Sequence, residues 1–204
     1  HQYEIANQVS LAQLFSCRVH ALKNELRIIL IAVQSNINHH QLSQSLAESR
    51  QIHHVAYRCN DTKETVDFYG RVLGMRFLLA ISEDRVPSTK EPDPYMHVFL
   101  DAGGGNVLAF FELPTKPEMG RDANTPAWTQ HLAMQVATVD ELLETKAKLE
   151  ADGIEVVGPT DHTIFKSIYF FDPSGHRLEL AANTGTPKMA KMLDDAKWDM
   201  LNEW

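Results

Sequence analysis

Apolar positions along the chain change their period twice. Phe15, Val19, Leu22, Leu26, Ile29, Val33 and Ile37 recur in steps of four and three, which places them on one stripe of a helix. Residues 34–51, rich in Gln, Asn, Ser and His, read as a polar connection in which His39 and His40 are solvated. From Ile52 the period shortens. Residues 52–60 alternate and predict a strand. Asp61 then serves as an N-cap, with Glu64 three residues on, for a helix over 62–73 whose stripe is Val66, Phe68, Tyr69, Val72 and Leu73. Strands are expected over 75–82, 97–101 and 107–113. A charged loop with three prolines (83–94) and the turn Ala102-Gly103-Gly104-Gly105-Asn106 separate them.

After a second long loop, 114–126, the pattern repeats: strand 131–137, helix 139–152, then strands 154–157, 167–171 and 177–181, with a turn at Asp172-Pro173-Ser174-Gly175. The tail from Thr186 returns to helical spacing through Met189, Met192, Leu193, Ala196, Met200 and Leu201. The order β-α-β-β-β thus occurs twice. The expected fold is α+β, with modules 52–114 and 129–184 in one domain spanning 52–184. A helical extension and linker occupy 1–51 and a helix occupies 185–204. The stripe from Phe15 to Ile37 is expected to dock on the domain or on a second copy.

The repeat brings chemistry with it. His54-Val55-Ala56 opens the first module, and His131-Leu132-Ala133 opens the second 77 positions later. Side chains alternate between the two faces of a strand. His131 therefore shares a face with Ala133 and Gln135, while Leu132, Met134 and Val136 take the core face. By the same parity His54 goes with Ala56 and Arg58, and His53 goes with Val55 and Tyr57 as a packing or capping residue. Glu179 goes with Arg177 and Ala181, against Leu178 and Leu180. A lone strand histidine is usually hydrogen-bonded scenery. Three candidate ligands on polar faces, two of them at matching places in a repeat, point instead to one divalent metal. Two neutral imidazoles and a carboxylate leave open positions on an octahedral ion, a set suited to Fe(II), with Mn(II), Co(II), Zn(II) or Ni(II) as alternatives.

Composition narrows the class further. The 204 residues are 44% hydrophobic and 23% charged, enough for a sizeable core. A net charge of −8 without a basic patch argues against nucleic-acid binding. No run approaches the ~18 apolar residues of a membrane span. Two cysteines, Cys17 and Cys59, do not make a disulfide framework, so a reducing, cytoplasmic setting is expected. The expected partners are a small-molecule substrate and a second copy of the chain in a homodimer.

Residues 52–183 resemble the vicinal oxygen chelate superfamily, which includes glyoxalase I, fosfomycin and bleomycin resistance proteins, methylmalonyl-CoA epimerase and extradiol ring-cleaving dioxygenases. The resemblance is carried by His54-Val55-Ala56, Asp61, Asp67-Phe68-Tyr69, Val72-Leu73-Gly74-Met75, His131-Leu132-Ala133 and the run from Ser167 to Leu180. It implies an eight-stranded cup around a divalent metal. Many members draw a fourth ligand from the last strand of the first module. Here the step from Gly105 that matches Gly175 to Glu179 reaches Ala109, which cannot bind metal. Glu112 is the other candidate, of opposite parity, and reads better as a strand-end residue facing solvent. A three-ligand site resembles the dioxygenases. So does Tyr169, ten residues before Glu179, where those enzymes carry a tyrosine that hydrogen-bonds substrate. His162 resembles their loop histidine, and His97 is the candidate for their acid–base histidine. The resemblance implies an Fe(II) extradiol-type dioxygenase. A glyoxalase-like lyase or epimerase is the alternative, and a non-catalytic binding or resistance protein is a second one.

Overall fold

The structure is a computed structural model and describes residues 52–204. The predicted stripe from Phe15 to Ile37 and the linker lie outside these residues. The first module runs β1 (Val55–Cys59), α1 (Thr62–Leu73), β2 (Arg76–Arg85), β3 (Pro92–Asp101) and β4 (Val107–Glu112). The second runs β5 (Leu132–Val136), α2 (Val139–Ala151), β6 (Val157–Asp161), β7 (Phe165–Phe171) and β8 (Arg177–Asn183). The repeated β-α-β-β-β order is as the periodicity predicts. The eight strands divide into two four-stranded sheets, ordered β1-β4-β3-β2 and β5-β8-β7-β6. In each, the first strand runs parallel to the last, and the other neighbours are antiparallel.

Three boundaries differ from the sequence reading. The proline-bearing segment 83–94 is largely a hairpin, with Arg85 opposite Pro92. Pro92 opens β3, a position where a missing N–H does little harm. Residues 154–157 do not form the expected strand. Ile154 and Val156 instead pack on the core, and the ladder begins at Val157. β1 and β5 begin one residue after His54 and His131, so both histidines stand at strand entrances rather than inside strands.

Local chemistry accounts for the helices. Asp61 accepts from the backbone N–H groups of Lys63 and Glu64, and Gly74 closes α1 with φ +66°, a left-handed conformation that glycine adopts without strain. Thr138 caps α2 by accepting from Glu141 N, while the Glu141 carboxylate accepts from Ala137 N, a reciprocal cap. α3 (Pro187–Glu203) follows its N-cap Thr186 and has no buried residue. Strand alternation builds the core: Leu178, Leu180 and Ala182 of β8 are buried against Leu142 and Leu149 of α2 and Ile168 and Phe170 of β7, in one cluster with Phe68, Tyr69, Leu100, Leu108 and Phe110 of the first module.

The modules are joined by the turn Asp172–His176. Asp172 Oδ1 accepts from His176 N, and the turn closes with Gly175 N donating to Asp172 O. Asp172 Oδ2 accepts from the hydroxyl of Tyr69, 3.0 Å away, with both residues buried. Asn60 N donates to Ser174 Oγ, and His176 Nε2 donates to Arg58 O at 2.7 Å while its ring lies 5.0 Å from that of Tyr57. Burial, followed by the Asp172 carboxylate, pushes the Tyr69 phenol far above its ordinary value, so it remains a donor at any physiological pH. The corresponding turn of the first module, 102–106, carries three glycines. A cavity of about 470 Å³ lies between this end of the first module and Met134, Gln135 and Glu141.

Tyr69→Phe removes the donor but keeps the ring. An unsatisfied buried acceptor costs ~1–3 kcal/mol, and Asp172 keeps its other bond. The urea midpoint should fall accordingly with an unchanged slope; an unaltered midpoint would show that this bond does not tie the modules.

Candidate metal centre

The second sheet assembles most of the predicted residues. Ala133 of β5 lies opposite Glu179 of β8, and Glu179 lies opposite Tyr169 of β7. Directly paired residues share a sheet face, and His131, two positions before Ala133, extends that face. Nε2 of His131 is 2.8 Å from Glu179 Oε2. The other carboxylate oxygen, Oε1, accepts from Ser167 Oγ. Glu179 is only 3% exposed. The His131 and Tyr169 rings meet edge-on at 5.9 Å, and the Tyr169 hydroxyl is 2.9 Å from His162 Nε2. The Arg177 guanidinium lies 4.0 Å above the Tyr169 ring. Burial, and then the Glu179 carboxylate, push the Tyr169 phenol up, which keeps its proton in place at neutral pH.

Register makes the two modules comparable position by position. Ala56 pairs with Ala109 and Phe99 pairs with Ala109, as Ala133 and Tyr169 pair with Glu179. His54 is therefore the counterpart of His131, Ala109 of Glu179, Phe99 of Tyr169, and His97 of Ser167. His54 is exposed and sits 6.0 Å, ring to ring, from Phe99. Its Nδ1 is 2.7 Å from Nδ1 of His53, so His53 is an exposed partner of His54 rather than a packing residue. His97 is buried, stacks on Phe111 at 3.5 Å, and has its Nε2 buried without a hydrogen-bond partner. Burial, and then the neighbouring His54, hold the His97 imidazole below its ordinary value and neutral at pH 7.

The predicted residues thus fall into two groups. His131, Glu179, Tyr169 and His162 are together, whereas His54 stands with His53, His97 and Phe99. Among the described residues no three His, Cys, Asp or Glu side chains lie close enough to hold one ion. The His131–Glu179 half nonetheless suits a cation. A nearly buried carboxylate whose partners are one imidazole and one hydroxyl has no Lys or Arg to balance it, and an unbalanced buried charge is costly. His131, Glu179 and an imidazole equivalent to His54 are the residues that could hold a divalent metal. Glu112 does not face solvent as read from the sequence. Its Oε2 accepts from Thr62 N at 2.8 Å and from Thr62 Oγ1 at 2.7 Å, at the N-terminus of α1. Sequence reading missed Ser167, although a hairpin about the turn at 172–175 brings it diagonally beside Glu179.

The model of the Glyoxalase/Bleomycin resistance protein/Dioxygenase superfamily matches residues 51–180. The chain belongs to this superfamily. Within it, the uncharacterized protein YwkD of Bacillus subtilis is 28% identical over 133 residues, covering 64% of this chain and 95% of YwkD. The "Putative ring-cleaving dioxygenase MhqA" of the same bacterium is 27% identical over 136 residues, covering 65% of this chain but only 40% of MhqA. Among solved structures, a superfamily domain from Frankia sp. EAN1pec matches with a TM-score of 0.55 at 16% identity, over 67% of this chain and 99% of that one. The trypanothione-dependent glyoxalase I of Leishmania major matches with a TM-score of 0.50 at 23% identity, over 76% of this chain and 98% of that one. At these identities both show the superfamily fold alone. Superfamily members are typically dependent on a divalent metal and bind small-molecule substrates. Among the described residues no helix is long and apolar enough to cross a membrane.

Glu112→Ala removes the acceptor for Thr62 at the start of α1. Loss of such a terminal partner should cost ~0.5–2 kcal/mol in chemical denaturation and leave the stoichiometry of bound divalent metal unchanged. Lost metal with unaltered stability would make Glu112 a ligand instead.

Proposed function

We propose that the protein is a metal-dependent enzyme acting on a small compound with two adjacent oxygens, and specifically an Fe(II) extradiol-type dioxygenase. The observation that carries this reading is the grouping of His131, Glu179, Tyr169 and His162 on one sheet face, with a buried carboxylate that has no Lys or Arg partner. The likeness to MhqA points the same way.

In this reading His131 and Glu179 of one copy and His54 of a second copy form the ligand set of a homodimer. Several features support it. Among the described residues of a single chain the donors fall into two separate groups. His54 and Ala56, and likewise His131, Ala133 and Gln135, are exposed on their faces. Leu79 and Ile81 extend the His54 face beside Phe99 and His97 and are 48% and 41% exposed, apolar surface that a second subunit would cover.

The metal, when bound, supplies Lewis acidity for the paired substrate oxygens and, as Fe(II), redox chemistry with O₂. The chain's own residues handle orientation and protons. The protonated Tyr169 hydroxyl donates to a substrate oxygen, and His162, in contact with it, relays the proton. Neutral His97, whose Nε2 is buried without a hydrogen-bond partner, is the residue assigned the acid–base role once the site is formed. Ser167 holds Glu179 in the orientation that faces His131.

Two measurements test this. Anaerobically loaded with Fe(II), the protein should consume oxygen with a member of a catechol panel. Tyr169→Phe should slow turnover by ~10²–10⁴-fold, the usual contribution of a general acid–base group, while keeping its iron. Isomerisation or cleavage of a 2-oxo substrate under nitrogen, without oxygen uptake on any catechol, would replace the dioxygenase by a lyase or isomerase. Separately, His54→Ala and Glu179→Ala proteins, each inactive, should regain about a quarter of native activity when their subunits are reassorted, since half the dimers carry one intact site of two. No recovery would sink the shared site.

A further inference from the structure

A cavity of about 250 Å³ lies between the linker that joins the modules and the end of the second sheet. Its walls include Tyr57, Leu132, Leu178 and Phe171, together with His131 and the arginines Arg121 and Arg177. Phe171 and Arg177 are cross-strand partners, so their side chains share a face. The Arg121 guanidinium lies 4.3 Å over the Phe171 ring, which brings the two cations to the same end of the sheet. Each makes one neutral hydrogen bond: Arg121 Nη2 donates to Gly175 O at 3.2 Å, and Arg177 Nη1 donates to Trp128 O at 2.7 Å. Among the described residues neither has a carboxylate partner.

The one acid in the wall does not compensate them. Asp122 Oδ1 accepts from Asn124 N and Oδ2 from Thr125 Oγ1, so both oxygens serve its own turn. A guanidinium offers five donors in a planar fork that matches a carboxylate. Two such forks in one cavity wall, beside apolar side chains, leave a place that an anion with an apolar body would fill. The volume is below the ~300–1,000 Å³ of sites for drug-sized ligands, so the occupant is small.

We propose that this cavity is a binding site for a small carboxylic acid with an apolar or aromatic body, its carboxylate taken by Arg121 and Arg177. His131 also lines the cavity, so the site borders the metal-ligand pair, but its grip on an anion rests on the two arginines and does not depend on the reaction assigned above. Arg177 connects the two, because its guanidinium also covers the Tyr169 ring. An acid in the cavity therefore touches the residue that packs on the tyrosine of the metal half.

The test uses metal-free full-length protein and calorimetric titration with sodium benzoate, sodium acetate and inorganic phosphate at constant ionic strength. Benzoate should bind saturably, one per chain, and more tightly than acetate or phosphate. Arg121→Gln and Arg177→Gln should each weaken it by about tenfold or more, the loss expected for a charge-assisted hydrogen bond. Glu179→Gln, which touches the wall only through His131, should weaken benzoate binding less than either arginine variant. Arg121 is on an exposed loop, so its variant tests the site without threatening the fold. The proposal is overturned if benzoate does not saturate, if both arginine variants bind as the native chain does, or if Glu179→Gln loses affinity as they do. Acetate or phosphate binding as tightly as benzoate would overturn the apolar-acid assignment.

Discussion

The buried bond from the Tyr69 hydroxyl to Asp172 governs where everything in the second module's site can be. Asp172 organises its own turn through His176 N and Gly175 N, and that turn starts β8. Arg177 and Glu179 are the first and third residues of that strand. Anchoring the turn to the helix of the other module thus fixes the register from which the carboxylate of Glu179 meets His131. A charged acceptor and a neutral donor in a dry environment interact strongly and tolerate little displacement. The His176 ring, wedged beside Tyr57 and bonded to Arg58 O, adds a second constraint of the same direction.

On that frame, the two faces of each sheet divide the work. One face of β8 presents Leu178, Leu180 and Ala182 to the core, and the other presents Arg177, Glu179 and Ala181. Glu179 is almost as buried as its apolar neighbours, yet its surroundings are polar. Burial without a cationic side chain is a poor way to gain stability. It is a good way to prepare a carboxylate for a metal, because the cost of removing water has already been met in the folded chain and Ser167 holds one oxygen in place.

Much of this was legible in the sequence because it rests on a period of two and on a repeat. The parity argument put His131 and Glu179 on the polar faces of their strands, and the ladder between β5, β8 and β7 brings those faces together, whereas His53 and His54, both before the start of β1, are paired rather than separated. The helix 62–73 was readable to the residue, since Asp61 and Gly74 mark its ends chemically. The errors came where tertiary contacts decide. Glu112 lies at a strand end, as expected, but the neighbouring helix start turns it inward to Thr62, a partner 50 residues away in sequence that no local pattern reveals. Prolines in 83–94 suggested a loop, although Pro92 and Pro94 fall in an edge hairpin that accommodates them. How His54 relates to His131 depends on the packing of the modules and on any second copy. Periodicity carries no information about either.

The divergence of the repeat has a chemical logic of its own. Where the second module has Glu179, Tyr169 and Ser167, the first has Ala109, Phe99 and His97. Replacing a carboxylate and a phenol by a methyl and a phenyl removes any prospect of a second ligand pair and makes that face apolar. The polar groups that remain there are His54 and His97, one exposed and one with a free buried nitrogen. The two faces are therefore complementary rather than duplicate. One holds a buried carboxylate with its histidine and no Lys or Arg, the other an exposed imidazole beside an apolar bed and a buried neutral imidazole. Two full copies of the second face would set carboxylate against carboxylate and leave little room for a substrate. In the proposed shared site, an apolar face set opposite a polar one would leave space for an aromatic ring with its oxygens turned towards Glu179 and His131.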